Sequence, residues 1–184
     1  MARFLLIHGA SHGAWCWDRL APCLQKQGHE VTAIDLPSHG DDPTPTGDVT
    51  MNDYVTAALD AMAPETILVG HSLGGLTITL AAAKAPEKTR ALVYLCALVP
   101  QQGKAFADFR NDAISPAVSE TQTVDRAAGA THVIPDKAAD VFYFDCSEED
   151  RTFALARLSP QPIAPLIEPL QFDVPNCPRH YIRC

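Results

Sequence analysis

Apolar residues fall into short runs separated by stretches with three-and-four spacing, so the first hundred residues alternate between strand and helix patterns. The runs are "RFLLIH" at 3–8, "EVTAIDL" at 30–36, "TILVGH" at 66–71, "RALVYLCAL" at 90–98 and, much later, "RHYIRC" at 179–184. They are nearly continuous in apolar side chains, the pattern of strands covered on both faces. Residues 14–27 place Trp17, Leu20, Ala21 and Leu24 on one helical face and stop at Gly28, which can take a left-handed cap. Thr50 and Asp53 have capping-box spacing and open a helix carrying Met51, Tyr54, Val55, Ala58, Leu59 and Met62. A third helix, starting at Ser72 and running through "GLTITLAAAKAP", is apolar all round until Lys84, which predicts burial and an end at Pro86. The order β-α-β-α-β-α-β implies right-handed crossovers and a parallel sheet with helices on both faces.

After Pro100 the pattern changes. Residues 101–178 contain many of the 15 prolines, a hairpin signal at Gly129 between "TQTV" and "THVI", and one clear helix, 147–158, opened by "SEED". The segment "SPQPIAPLIEPLQFDVPNCP", 159–178, is too rich in proline for regular helix or central strand and reads as a return path. The chain therefore divides into a core, 1–100 and 171–184, and a cap insertion, 101–170.

With 47% hydrophobic and 20% charged residues, 184 residues suffice for one domain with a real core. The net charge of −8 and scattered Lys and Arg argue against nucleic acid and anionic membrane as partners. The early run "FLLI" is too short for a signal-peptide core or a membrane span, so the expectation is a soluble, cytoplasmic protein. Six cysteines without C-x-x-C spacing suggest neither a disulfide framework nor a metal site, and Cys96 reads as a buried small hydrophobe. No cofactor is implied.

The chemistry centres on "LVGHSLGGL", 68–76. "GHSLG" fits G-x-S-x-G with a strand before it and a helix after it, the context of a nucleophile elbow presenting Ser72. Glycines two positions either side allow a sharp turn whose neighbours lie against a strand and a helix. The helix start aims free N–H groups at a developing oxyanion. The loop "HGASHGAWCW", 8–17, ends the first strand with small residues, where a backbone N–H can join that of Leu73.

With "LLIHGASHGAWCWDRL", "GHEVTAIDLPSHG", "LVGHSLGG" and, more loosely, "DCSEED", the chain resembles the α/β-hydrolases. Within them it resembles the branch of plant methyl esterases, salicylate-binding protein and hydroxynitrile lyases, with their bacterial esterase relatives. The resemblance implies an α/β-hydrolase fold, Ser72 as nucleophile, and the N–H groups of Ala10 and Leu73 as oxyanion hole. It makes Gly9, His12 and His71 substrate-binding positions, while His8 and Asp35 shape their turns. His12 is either a pocket residue or a loop histidine satisfied by backbone. Phe106, Phe109, Phe142, Tyr143 and Phe144 either line the pocket or form cap core. The lyases carry a threonine where this chain has Gly9 and a different residue where it has His71, which points to ester hydrolysis.

In this family the catalytic acid and histidine follow the strand that "HYIRC" resembles. Both are therefore expected after Cys184, the last strand and its helices being absent from this sequence. Internal histidines at 29, 39, 71, 132 and 180 read as structural or solvated. An uncovered apolar edge near "YIRC" invites pairing with another chain, a homodimer included. Three functions compete: a serine carboxylesterase for small esters, methyl esters included; a non-catalytic small-molecule-binding protein or inactive hydrolase fragment; and a hydroxynitrile lyase, disfavoured by Gly9.

Overall fold

In the computed structural model, which describes all 184 residues, five strands lie side by side in the order β2-β1-β3-β4-β8, every neighbouring pair parallel. They are β1 (Arg3–Ile7), β2 (Glu30–Ile34), β3 (Thr66–His71), β4 (Thr89–Leu95) and β8 (Arg179–Ile182). All five match the apolar runs. The pleat sends Leu5, Ile7, Leu68 and Leu92 to one face, under α2 (Met51–Ala61) and α3 (Gly74–Lys84), in a core of 23 buried residues. Each of these four is 1% exposed or less, which contributes about 1.5–3 kcal/mol per side chain. The opposite face is thinner. There only Leu6, Val69 and Trp17 are buried, with Phe4, Val93 and Leu95 partly so.

The α2 start follows its sequence signal: Thr50 Oγ1 accepts the Asp53 N–H, and the Asp53 carboxylate accepts the Thr50 N–H at 2.8 Å. Helix α3 is buried from Gly74 through Ala82 and gives out at Lys84, before Pro86. It begins at Gly74 rather than Ser72, because Ser72 takes a left-handed backbone that no α-helix includes.

The stretch 14–27 is not one helix. It divides into a 3₁₀ turn (Ala14–Trp17) and α1 (Leu20–Lys26). In a continuous helix the Pro22 ring would strike the carbonyl of Asp18, so the helix restarts with Pro22 in its first turn. No α1 residue is buried; Leu20 is 37% exposed.

The excursion contains more regular structure than its pattern predicts: α4 (Phe106–Ala113), α5 (Pro116–Glu120), β5 (Gln122–Asp125), β6 (Ala130–Val133), α6 (Pro135–Phe142) and α7 (Glu148–Leu155). The hairpin turns at Gly129, φ 63°, as the glycine signal predicts. Helix α7 has Ser147 as its N-cap and stops at Leu155, three residues short of the expected end. The return path also departs from expectation. Residues Gln161–Pro162 form a two-residue strand, β7, on the edge of the hairpin sheet, and Ala164–Ile167 form one helical turn, α8. Edge strands and first helical turns are the places that tolerate proline. No helix is long and apolar enough to cross a membrane.

Candidate active site

Strand β3 ends at His71, α3 starts at Gly74, and Ser72 sits between them with φ 49°. A left-handed serine is uncommon and is held here by its neighbours. Its N–H donates to Leu95 O (3.4 Å), and its carbonyl accepts the N–H groups of Gly75 (3.1 Å) and Leu98 (2.8 Å). The flanking glycines are required sterically. A Cβ at Gly70 would lie 2.7 Å from Gly74 C and O, and one at Gly74 would lie 2.6 Å from His8 O. The turn is therefore wedged between the helix and the end of β1.

The loop after β1 approaches the same serine. A Cβ at Gly9 would lie 2.9 Å from Ser72 Cβ and 3.1 Å from His71 Nδ1. Two backbone donors flank the serine: the N–H of Ala10, on this loop, and that of Leu73, which is buried. Neither takes part in a backbone hydrogen bond. Leu73 stands at the start of α3, where N–H groups have no intrahelical partner, so its donor is free to meet a ligand.

His8 and Asp35 hold the turns, as expected. His8 Nε2 accepts the Leu36 N–H (3.0 Å), which leaves its Nδ1–H to donate to Gly9 O (2.8 Å). Asp35 accepts the Ala14 N–H (2.6 Å) and the Asp41 N–H (3.2 Å). His12 is satisfied within the fold: Nδ1–H donates to Ala10 O (2.8 Å), the backbone bond expected of a loop histidine, and Nε2 accepts the Tyr143 hydroxyl (2.8 Å). The His71 ring lies 6.5 Å from those of His12 and Trp17. Burial, then repulsion by His12, pushes the His71 pKa down to about 4, and burial also lowers that of His12. Near neutral pH both rings are uncharged, so the surroundings of Ser72 carry N–H dipoles but no full positive charge.

The candidate aromatic residues separate into three groups. Phe142 and Tyr143 stand 6.5 and 6.1 Å from the His12 ring, Phe106 and Phe109 belong to the main core, and Phe144 is 72% exposed. An open cavity of about 650 Å³ beside the loop is lined by Trp15, Asp35, Arg157 and Ser159 among others; Ser72 is not in its wall. No three His, Cys, Asp or Glu side chains converge as a metal set.

Sequence reasoning missed Gln161. Fully buried, it accepts the Ser11 N–H (3.3 Å) and bonds His39 Nε2 (3.1 Å) through Oε1, and donates from Nε2 to Tyr54 Oη (3.1 Å) and Pro162 O (3.0 Å). Ser159 N–H adds a bond to Ser11 O (2.9 Å). Ser11, at φ 61°, is thus clasped on both sides by the return path. Only the proline-free break at Gln161 within "SPQP" hinted at a special position.

A family model described as "Alpha/beta hydrolase family" matches residues 4–183. The chain belongs to that family. Among curated α/β-hydrolase relatives, it is 33% identical over 183 residues to norfluorocurarine synthase 1 of a Strychnos species, covering 91% of this chain and 68% of that protein. It is 41% identical over 107 residues to the probable esterase PIR7A of rice, Oryza sativa subsp. indica, covering 55% of this chain and 41% of the relative. The chain thus spans between two-fifths and two-thirds of the length of these relatives. The α/β-hydrolase structure of polyneuridine aldehyde esterase superposes with a TM-score of 0.85 at 26% identity, covering 100% of this chain and 80% of that one. Its relatives include esterases, in keeping with the branch that the sequence resembles.

Proposed function

We propose that the chain carries the nucleophile half of a serine carboxylesterase acting on small esters. The observation that carries this reading is the pair of backbone donors without backbone partners, Ala10 N–H and Leu73 N–H, on the two segments that flank Ser72. In this reading Ser72 Oγ attacks the ester carbonyl and the developing oxyanion accepts those two donors. The alcohol departs, and water hydrolyses the acyl-enzyme. Gly9, His12 and His71 bound the substrate, and residues 101–170 act as a cap. The neutral imidazoles suit an uncharged ester, methyl esters included. Neither nucleic acid nor membrane enters this reading, and the protein acts in the cytoplasm.

The Ser72 hydroxyl also needs a proton acceptor. A histidine oriented by a carboxylate would serve. Without such a base within reach of Ser72, the second reading applies, a small-molecule-binding module that does not turn over. A hydroxynitrile lyase stands third, because Gly9 offers no hydroxyl at the position where such an enzyme carries threonine.

Incubation with a fluorophosphonate and with a chromogenic acetate ester tests the proposal. The expected result is labelling at Ser72 that Ser72→Ala abolishes. Ester turnover should exceed the water reaction by roughly 10³–10⁴-fold, the level left when an oxyanion hole and binding act without a complete triad. Labelling that persists in Ser72→Ala overturns it; a folded sample that neither labels nor turns over supports the binding module.

A further inference from the structure

The carboxyl ends of β4 and β8 bring together two of the six cysteines that are 88 residues apart in sequence. Leu95 pairs with Ile182, and Cys96 N–H donates to Ile182 O at 2.8 Å. Just beyond, the Cys184 N–H points at Cys96 Sγ (2.8 Å), and the same sulfur lies 3.8 Å from Cys184 O. Cys96 is thus half-buried against Cys184 rather than packed as a core hydrophobe. Cys184 lies two residues past Ile182, the register partner of Leu95, and its backbone N and O both lie against Cys96 Sγ, so the two residues adjoin directly. The other four cysteines make no such contact: Cys23 and Cys146 are exposed, and the Sγ atoms of both bond only within their own segments.

We propose that Cys96 and Cys184 are a thiol pair that a small-molecule disulfide, such as oxidised glutathione, converts to an intramolecular disulfide. The exposed Cys184 thiolate attacks one glutathione sulfur, forming a mixed disulfide and expelling a glutathione thiolate. Cys96 thiolate then attacks the Cys184 sulfur, forming the Cys96–Cys184 bond and expelling the second glutathione. Two protein thiols are oxidised, one glutathione disulfide is reduced, and the two protons lost by the cysteines end on the two expelled glutathione thiolates. The bond would fasten the edge strand β8 to β4. Leu95 and Leu98, which flank Cys96, hold the Ser72 backbone, so the oxidised form would brace the elbow from behind.

The test does not depend on turnover. The 184-residue protein is incubated with oxidised glutathione at a pH of about 8.5, where an ordinary cysteine is half ionised, then blocked with an alkylating agent and digested without reductant. The expected product is a single cross-linked peptide pair joining Cys96 to Cys184, with the intact protein lighter by two hydrogens at that pair. Cys96→Ser should leave Cys184 as a stable glutathione adduct. Adducts on both residues of the wild-type protein without the cross-link, or Cys184 joined to another cysteine, overturn the proposal. Cys23→Ser should not change the cross-link yield, and a loss there overturns it as well.

Discussion

The Tyr143 hydroxyl donates to His12 Nε2 at 2.8 Å, joining residues 131 apart in sequence and bridging the end of α6 to the loop beside Ser72. Because His12 Nδ1–H is already committed to Ala10 O, Nε2 can only accept. Tyr143→Phe leaves that buried acceptor unpaired. Urea denaturation should show a loss of about 1–3 kcal/mol, and His12→Phe in the Tyr143→Phe background should cost less than the sum of the two single changes.

Gly9 is held to glycine by space alone. Gly9→Ala brings a methyl group to 2.9 Å from Ser72 Cβ, which β3 and the loop can relieve only by moving apart. A destabilisation of about 1–3 kcal/mol is expected from such overpacking, together with slower fluorophosphonate labelling of Ser72. Labelling at the wild-type rate would show that the loop and the serine are not coupled.

Gln161→Ala removes four hydrogen bonds made by one buried side chain and leaves His39, Tyr54 and the Ser11 N–H to find other partners. The expected cost is about 3 kcal/mol or more, since partly satisfied buried networks are worse than either extreme. Hydrogen exchange should report the change locally, with faster exchange at Ser11 and Ser159 before the sheet amides respond.

Acid should destabilise the fold early. His8, His12, His39 and His71 are all held neutral by burial, with pKa values below that of a free imidazole, so the unfolded chain binds more protons. Their contribution is complete above a pH of about 6.5 and is lost as the pH falls from there through the folded-state values. For His71, whose value lies near 4, the loss amounts to at most about 3 kcal/mol. Thermal melts between neutral pH and pH 4 should show Tm falling, with a shallower slope in His71→Gln.

The sheet and the elbow were legible because their signals are local. Five apolar runs became five strands, Thr50 and Asp53 capped α2, and Gly70 and Gly74 marked the turn around Ser72. Helices α4, α5 and α6 run for eight residues or fewer, too short for a helical period to stand out. Pro22 broke a pattern whose apolar spacing alone read as continuous. Gln161 was invisible for a different reason: apart from the Pro162 carbonyl, its partners lie 107 to 150 residues away, and nothing in a polar residue between prolines records them.

The clasp on Ser11 has a mechanical consequence. Since Ser159 and Gln161 grip both sides of Ser11, the return path cannot lift without dragging the donor-bearing loop along. Displacing residues 159–161 would therefore displace the loop that bears the Ala10 N–H with them. On the opposite margin the excursion is tied by the Tyr143 hydroxyl on His12, the Arg19–Asp150 ion pair and the Phe153 ring against Trp15, three contacts that all converge on the chain between β1 and α1.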